Sequence, residues 1–284
     1  MLPNKIRRTV RGYTNPRTFT ITEYQRAIEY DFYVFNHWLR FLEFYTGSSP
    51  DIKGKTILEL GPGADLGIGL ITLLKGAKQY NAIDVNNLVE SVPEKYYLEF
   101  FTFIKDKYAM TKETFDYLSS QLKMTQKGKN DRLNYIVNKD FDLSVFQDKK
   151  IDLVFSQAAF EHFDDVGKTI AQLSRIAKKT AILISEIDLG THTRWIRDLD
   201  PLNIYRYNQF VYGLFKFSGS PNRFRPYEYK NILEDHGWAK IQIIPLTVVE
   251  EEYLKKINSH LTRRFQEPLN QIHYLTIMLC ATKT

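Results

Sequence analysis

Two carboxylates and two histidines, Glu59, Asp84, His162 and His192, stand at or just beyond the ends of short apolar runs in this 284-residue chain. An acid at such a place accepts hydroxyls or faces a cation, and a histidine exchanges a proton near neutral pH. Between the two acids runs Ile57-Leu58-Glu59-Leu60-Gly61-Pro62-Gly63-Ala64-Asp65-Leu66-Gly67. Gly61 and Gly63 carry no Cβ, so the backbone can turn sharply and approach a ligand closely. The chain then enters a helix whose first amides point at that ligand. Asp84 closes a second apolar run about twenty residues later, where an α/β nucleotide fold places the acid that accepts ribose hydroxyls. Strand, glycine turn, helix, strand and acid in this order read as a nucleotide-cofactor loop.

Glu59 narrows the cofactor. A dinucleotide presents a pyrophosphate to the helix amides, and a carboxylate two residues before the first glycine is unfavourable there. S-adenosylmethionine has no phosphate and carries cationic sulfonium and ammonium groups, with which that acid is compatible. Gly54-Lys55-Thr56 is not a phosphate-binding loop: Ser49 stands where the leading glycine belongs, and the triplet precedes a strand instead of following one.

His162 and His192 follow the two later apolar runs, Ile151 to Ser156 and Ala181 to Ser185. Both then lie at the carboxyl ends of strands, where open α/β sheets bind ligands. Either can take the proton of a hydroxyl or ammonium acceptor; the alternative for His162 is to cap or pack at the start of the next helix. His37 and His236 read as structural. Glu161, Glu186 and Asp188 with His192 are an alternative metal set, but the expectation is that no metal is bound. The arginines of Asn222-Arg223-Phe224-Arg225-Pro226 either clamp an anionic acceptor or make a salt bridge at a helix start.

The elements that must position these groups follow from periodicity. Tyr24, Ile28, Phe32, Phe35, Leu39 and Leu42 fall at helical spacing and predict a long amphipathic helix over Thr22 to Phe44, with a capping box at Thr22 and Gln25. Pro93 starts a helix through Lys105, Thr111 caps another to Leu122, and Thr125 to Asp131 reads as an exposed turn. A helix from Asp165 to Ala177, another from Pro226 to Gly237, and strands near Lys240 to Pro245 and His273 to Ala281 complete the alternation. Glu250 to Phe265 reads as one charged, solvated helix. The expected fold is α/β, a doubly wound, mostly parallel sheet with helices on both faces. Residues 1–50 form an N-terminal helical cap and 51–284 the main domain, with a helical insertion at 87–131 and an aromatic substrate lid at 190–225.

Composition sets the remaining bounds. With 43% hydrophobic and 25% charged residues the chain buries a substantial core, and its net charge of +6 is dispersed apart from Lys5, Arg7, Arg8 and Arg11. That patch reads as a solvated terminus, or a contact for nucleic acid or anionic lipid. No run is apolar and long enough to span a bilayer, and the amino terminus lacks the apolar core of a signal peptide, so a cytoplasmic location is expected. The single cysteine, Cys280, reads as a buried strand residue.

From about Asp51 onward the chain resembles the class I, Rossmann-like S-adenosylmethionine-dependent methyltransferases. The ILELGPGADLG and AIDVN segments are similar to the first two cofactor motifs, the segment from Ile151 to Glu161-His162 to the fourth-strand motif, and ISEIDL to the fifth strand and its exit. Carried onto this chain, the resemblance implies S-adenosyl-L-methionine as cofactor, held by Glu59, Gly61, Pro62, Gly63, Asp84, Val85, Asp140 and Gln157, with Asp140 near the adenine amino group. It also implies seven strands with an antiparallel last one. The Asn/Asp-Pro-Pro-aromatic signature of base amino methylation is missing, as is a Pro-Cys nucleophile, which argues against nucleic-acid bases as acceptors but not against RNA oxygens. The expected activity is methyl transfer to an oxygen or nitrogen of a small molecule, a sugar or other biosynthetic intermediate, with His162 and His192 as catalytic residues. RNA or protein methylation, and a non-catalytic cofactor-binding partner subunit, are the alternatives; a dehydrogenase is a more distant one. The sequence is silent on oligomeric state.

Overall fold

The computed structural model describes residues 24–284. The basic patch at Lys5 to Arg11 and the capping Thr22 lie outside the described residues.

Helix α1 spans Tyr24–Thr46 and buries Ile28, Phe32, Phe35, Trp38 and Leu42 on one face. It stops at Gly47, whose φ of 67° only glycine adopts freely. Strand β1 (Thr56–Leu60) leads through the glycine turn to helix α2 (Gly67–Leu74) and strand β2 (Gln79–Asp84). Helices α3 (Glu94–Tyr108) and α4 (Lys112–Gln126) precede strand β3 (Leu133–Val137). Strand β4 (Ile151–Gln157), helix α5 (Val166–Ile176) and strand β5 (Ala177–Asp188) follow. Short helices α6 (Arg194–Arg197) and α7 (Gln209–Phe215) then lead to α8 (Pro226–Asp235) and strand β6 (Trp238–Val248). Helices α9 (Glu251–Ile257) and α10 (Arg263–Gln266) precede the last strand, β7 (Tyr274–Lys283).

The seven strands form one sheet in the order β3-β2-β1-β4-β5-β7-β6. β1 pairs in parallel with β2 and with β4, β2 in parallel with β3, and β6 with β7 antiparallel. All five residues of β1 are buried, as a strand covered on both faces requires. This is the Rossmann-like α/β arrangement with an antiparallel last strand.

The described chain divides into two compact units, 24–157 with 175–184, and 158–174 with 185–284. In the first, Trp38 of α1 stacks on Phe155 of β4 with ring centroids 4.9 Å apart and planes 2° from parallel. Burying a side chain of that size contributes about 2–3 kcal/mol. Helix α4 runs to Gln126, four residues past the expected stop. Thr125 donates from Oγ1 to the Leu133 carbonyl at 2.5 Å, and Gln121 Oε1 accepts from Arg132 N at 2.8 Å, so the last turn is tied to β3.

In the second unit, Glu250 to Phe265 is not one solvated helix. It breaks into α9, a 3-10 turn at Asn258–His260 and α10, and it is not solvated throughout, because Ile257, Leu261 and Phe265 are buried with Leu202, Ile204, Tyr205 and Tyr212. The aromatics of 190–225 thus split, with Tyr205 and Tyr212 in this cluster while Trp195 and Phe210 are exposed. Arg223 and Arg225 are buried, and among the described residues neither makes a salt bridge. Arg225 donates to the Asn270, Gln271 and Tyr274 carbonyls and to Tyr205 Oη at 2.7–3.0 Å. Arg223 donates to the Ile204 and Tyr207 carbonyls and to Gln209 Oε1.

Candidate functional site

The glycine turn belongs to the first unit. Gly61 and Gly63 have φ of 73° and 78°, conformations that strain any residue with a Cβ. Gly61 N–H donates to the Ile83 carbonyl at 3.0 Å, tying the turn to the end of β2. A Cβ built on Gly63 meets nothing within 4 Å, so the space above that glycine is open. Asp84, at the end of β2, accepts from Asn86 N at 2.9 Å and from the amides of Val85 and Gly63; burial pushes its carboxyl up despite these donors. Pro62 is part-buried, Val85 and Asp140 are exposed, and Asp140 N donates to Asn138 Oδ1 at 3.0 Å. Gln157 ends β4, and its Oε1 is buried with no hydrogen-bond partner.

Glu59 is 1% exposed and accepts from Tyr80 Oη at 2.5 Å; burial raises its pKa to about 8, against the pull of Tyr80. It does not stand alone. Asp31 of α1 accepts from Tyr96 Oη at 2.6 Å and shares a hydrogen bond with Asp65 of the turn. Burial, then the Asp65 charge, pushes the Asp31 pKa well up. Asp65 is also raised by burial, and its Oδ1 accepts from Gly67 N at 2.8 Å. A Cβ at Gly67 would collide with the Asp31 carboxylate, so glycine is what lets α1 and α2 approach there. The turn therefore rests on a bed of carboxyls satisfied by tyrosine hydroxyls and amides. Asp31, Asp65, Tyr80 and Tyr96 were not legible as site residues, although an aspartate on the apolar face of α1, between Ile28 and Phe35, was a signal.

The two histidines belong to the second unit. Ala158, just after β4, takes a left-handed φ of 49°, and its N–H donates to the Glu186 carbonyl at 2.9 Å. That bend leads into a 3-10 turn, Phe160–His162. Asn222 fixes the turn through Nδ2 to the Phe160 carbonyl at 2.8 Å and N–H to the Glu161 carbonyl at 2.7 Å. The rings of His162 and His192 lie 4.8 Å apart at 86°. Glu161 is 2% exposed, and its Oε1 is 3.7 Å from His192 Nε2. Burial lowers the His192 pKa, but Glu161, Asp188 and the Gly190 carbonyl outweigh it, and the net shift is upward. The structure thus brings His162 and His192 together and adds Glu161 to them.

The profile of a methyltransferase domain family matches residues 98–185, from within α3 to within β5. Residues 98–185 are thus similar to a methyltransferase domain, and the strand order is that of a Rossmann-like α/β fold. Solved structures similar to it include a Haloferax volcanii protein in complex with the Trm112 methyltransferase activator, 15% identical over 92% of this chain and 96% of that one, TM-score 0.47. A Haemonchus contortus phosphoethanolamine N-methyltransferase 2 in complex with S-adenosyl-L-methionine is 14% identical over 87% and 52%, TM-score 0.46. An S-adenosylmethionine-dependent methyltransferase from Archaeoglobus fulgidus is 16% identical over 89% and 94%, TM-score 0.44. The chain spans about half the length of the Haemonchus enzyme and of a CurJ carbon methyltransferase, 52% and 50%. No curated protein matches it by sequence. The identification rests on the domain match and the strand order.

The glycine turn, which precedes the matched residues, fits a cationic nucleoside cofactor. There is open room above Gly63, an orphaned acceptor at Gln157, and carboxyls whose ionisation burial disfavours. Among the described residues, no helix is long and apolar enough to cross a membrane.

Proposed function

We propose that this protein transfers the methyl group of S-adenosylmethionine to an oxygen or nitrogen of a small molecule. The observation that carries the reading is the open glycine turn on its carboxyl bed, joined to Asp84 at the end of β2. In this reading Gly61, Pro62 and Gly63 admit the cofactor, Asp84 accepts its ribose hydroxyls, Glu59 faces its positive charge through the loop, and Val85, Asp140 and Gln157 border the adenosine. The bound cofactor supplies a sulfonium-activated methyl group, so the chain's task is alignment and proton removal. His162 or His192 takes the acceptor's proton, and Glu161 and Asp188 raise the His192 pKa against the pull of burial, which favours His192 as the base. The small-molecule acceptor is supported by exposed Trp195 and Phe210 in the 190–225 segment, read as a lid, and by the missing base-methylation signatures.

Calorimetric titration with S-adenosylmethionine and S-adenosylhomocysteine, with a nicotinamide dinucleotide as control, tests the cofactor. Micromolar binding of the first two alone is expected; binding of the dinucleotide instead overturns the reading. Labelled methyl transfer to small molecules, RNA and protein then tests the acceptor class, and labelling of RNA or protein alone overturns the small-molecule assignment.

A further inference from the structure

Glu161 presents an energetic problem. Both of its carboxylate oxygens are buried, and neither has a hydrogen-bond partner. A carboxylate so placed normally costs several kcal/mol unless something positive meets it. Among the described residues its ion-pair partner is His192, whose Nε2 is 3.7 Å away, too far for a hydrogen bond.

The histidines are prepared for a different partner. His162 Nδ1 lies 2.7 Å from the Gly219 carbonyl, and His192 Nδ1 lies 3.0 Å from the Gly190 carbonyl. A carbonyl oxygen only accepts, so each Nδ1 carries the proton and each neutral ring keeps its lone pair on Nε2. Backbone carbonyls that fix the tautomer in this way are the usual outer partners of metal-ligating histidines. Those carbonyls are themselves anchored. Ser218 Oγ donates to Asp164 Oδ2 at 2.5 Å beside Gly219, and Gly190 N donates at 2.9 Å to Asp188, which Arg197 holds. One ligand atom from each of Glu161, His162 and His192 lies within 4.8 Å of the other two. Around a shared ion the three would stand about 3 Å apart.

We propose that Glu161, His162 and His192 bind a divalent first-row transition-metal ion. Two imidazole nitrogens and one carboxylate with open positions suit zinc, manganese, iron(II) or cobalt, whereas magnesium and calcium prefer all-oxygen sets. The open positions are where an acceptor hydroxyl would bind and lose its proton more easily. That role rests on the methyltransferase reading; the site itself does not.

The test uses untagged full-length protein freed of metal by chelation. Cobalt(II) titrated in and followed by visible absorption, and zinc(II) by calorimetry, should each saturate at one equivalent and compete with one another. Glu161→Gln, which keeps the side chain's shape, and His192→Gln should each weaken binding at least about tenfold. His260→Gln, at an exposed histidine, should leave it unchanged. No saturable binding, or binding indifferent to Glu161→Gln and His192→Gln, overturns the site and leaves an ion pair of Glu161 with a protonated His192. S-adenosylmethionine titrated into the same samples separates the two readings: cofactor binding without metal binding overturns only the metal site, and the reverse overturns only the cofactor.

Discussion

At Glu59 the buried carboxyl receives a hydrogen bond from Tyr80 Oη at 2.5 Å; at Glu161 neither oxygen receives one. Both residues sit beside a strand end, and both are almost without exposure. Around Glu59 the chain has supplied hydroxyls and amides, so the acid can rest neutral and serve as part of the floor under the glycine turn. Around Glu161 it has supplied two imidazoles whose Nδ1–H groups donate to backbone carbonyls. A buried acid with its own donors is part of a scaffold; Glu161 has no such donor, and His192 Nε2 stands 3.7 Å from it.

The largest effect that separates the two comes from pH at Glu59. Its pKa is about 8 in the folded chain and about 4.3 unfolded. Between those values the folded state holds a proton that the unfolded state has lost, so stability falls as pH rises from about 4.5 to 8. Glu59→Gln should remove that slope and leave the variant more stable than the parent at pH 8, by on the order of 3–5 kcal/mol in denaturant unfolding. Parallel slopes for the two proteins would mean that Glu59 is ionised and that the contrast with Glu161 is wrong.

Next in size is Tyr80→Phe. Removing the hydroxyl leaves Glu59 as bare as Glu161, at a cost of about 1–3 kcal/mol. It also removes the donor that holds the Glu59 pKa down, so the pH slope should extend to higher pH. If Tyr80→Phe is neutral, the hydroxyl is not what supports the acid.

The third distinguishes floor from ligand site by binding. Gly63→Val places a branched side chain at φ 78° in the open space above the turn, and Asp84→Ala removes the acid that ties Gly63 to β2. Each should weaken S-adenosylmethionine at least tenfold, about 1.4 kcal/mol. Unchanged affinity in folded variants removes the turn from the cofactor site.

How far each region was readable from sequence follows from how local its parts are. Gly61, Gly63 and Asp84 announce themselves because a glycine turn, the strand before it and the strand after it lie within thirty residues, and a parallel sheet of buried strands leaves continuous apolar runs. The floor did not, because it is built by Asp31 and Tyr96, 65 residues apart, and nothing in either segment names its partner. Glu161 and His162 were visible as a pair after β4, but an acid followed by a histidine is equally a helix start; only the Gly219 carbonyl, 57 residues on, fixes which ring nitrogen is free. Arg225 misled for the same reason, since its carbonyl partners come from a loop 45 to 49 residues later.

The smallest effect bears on Glu161 directly. His192 is raised by Glu161 and Asp188 against the downward pull of burial. In the metal-free parent protein this histidine therefore stabilises the fold below the ordinary imidazole pKa near 6.5, and that contribution is lost as pH rises through its own higher value. Glu161→Gln takes away the carboxylate and leaves the burial, so His192 should titrate below its parent value and its contribution to the pH slope should shrink or invert. The change in stability at pH 5.5 should be under about 1 kcal/mol, because the ring is partly exposed and Asp188 remains. Imidazole chemical shifts followed by NMR resolve it where unfolding does not. A His192 titration unmoved by Glu161→Gln would show that the acid is screened from the ring, and the two imidazoles would then lack the carboxylate that completes the cluster.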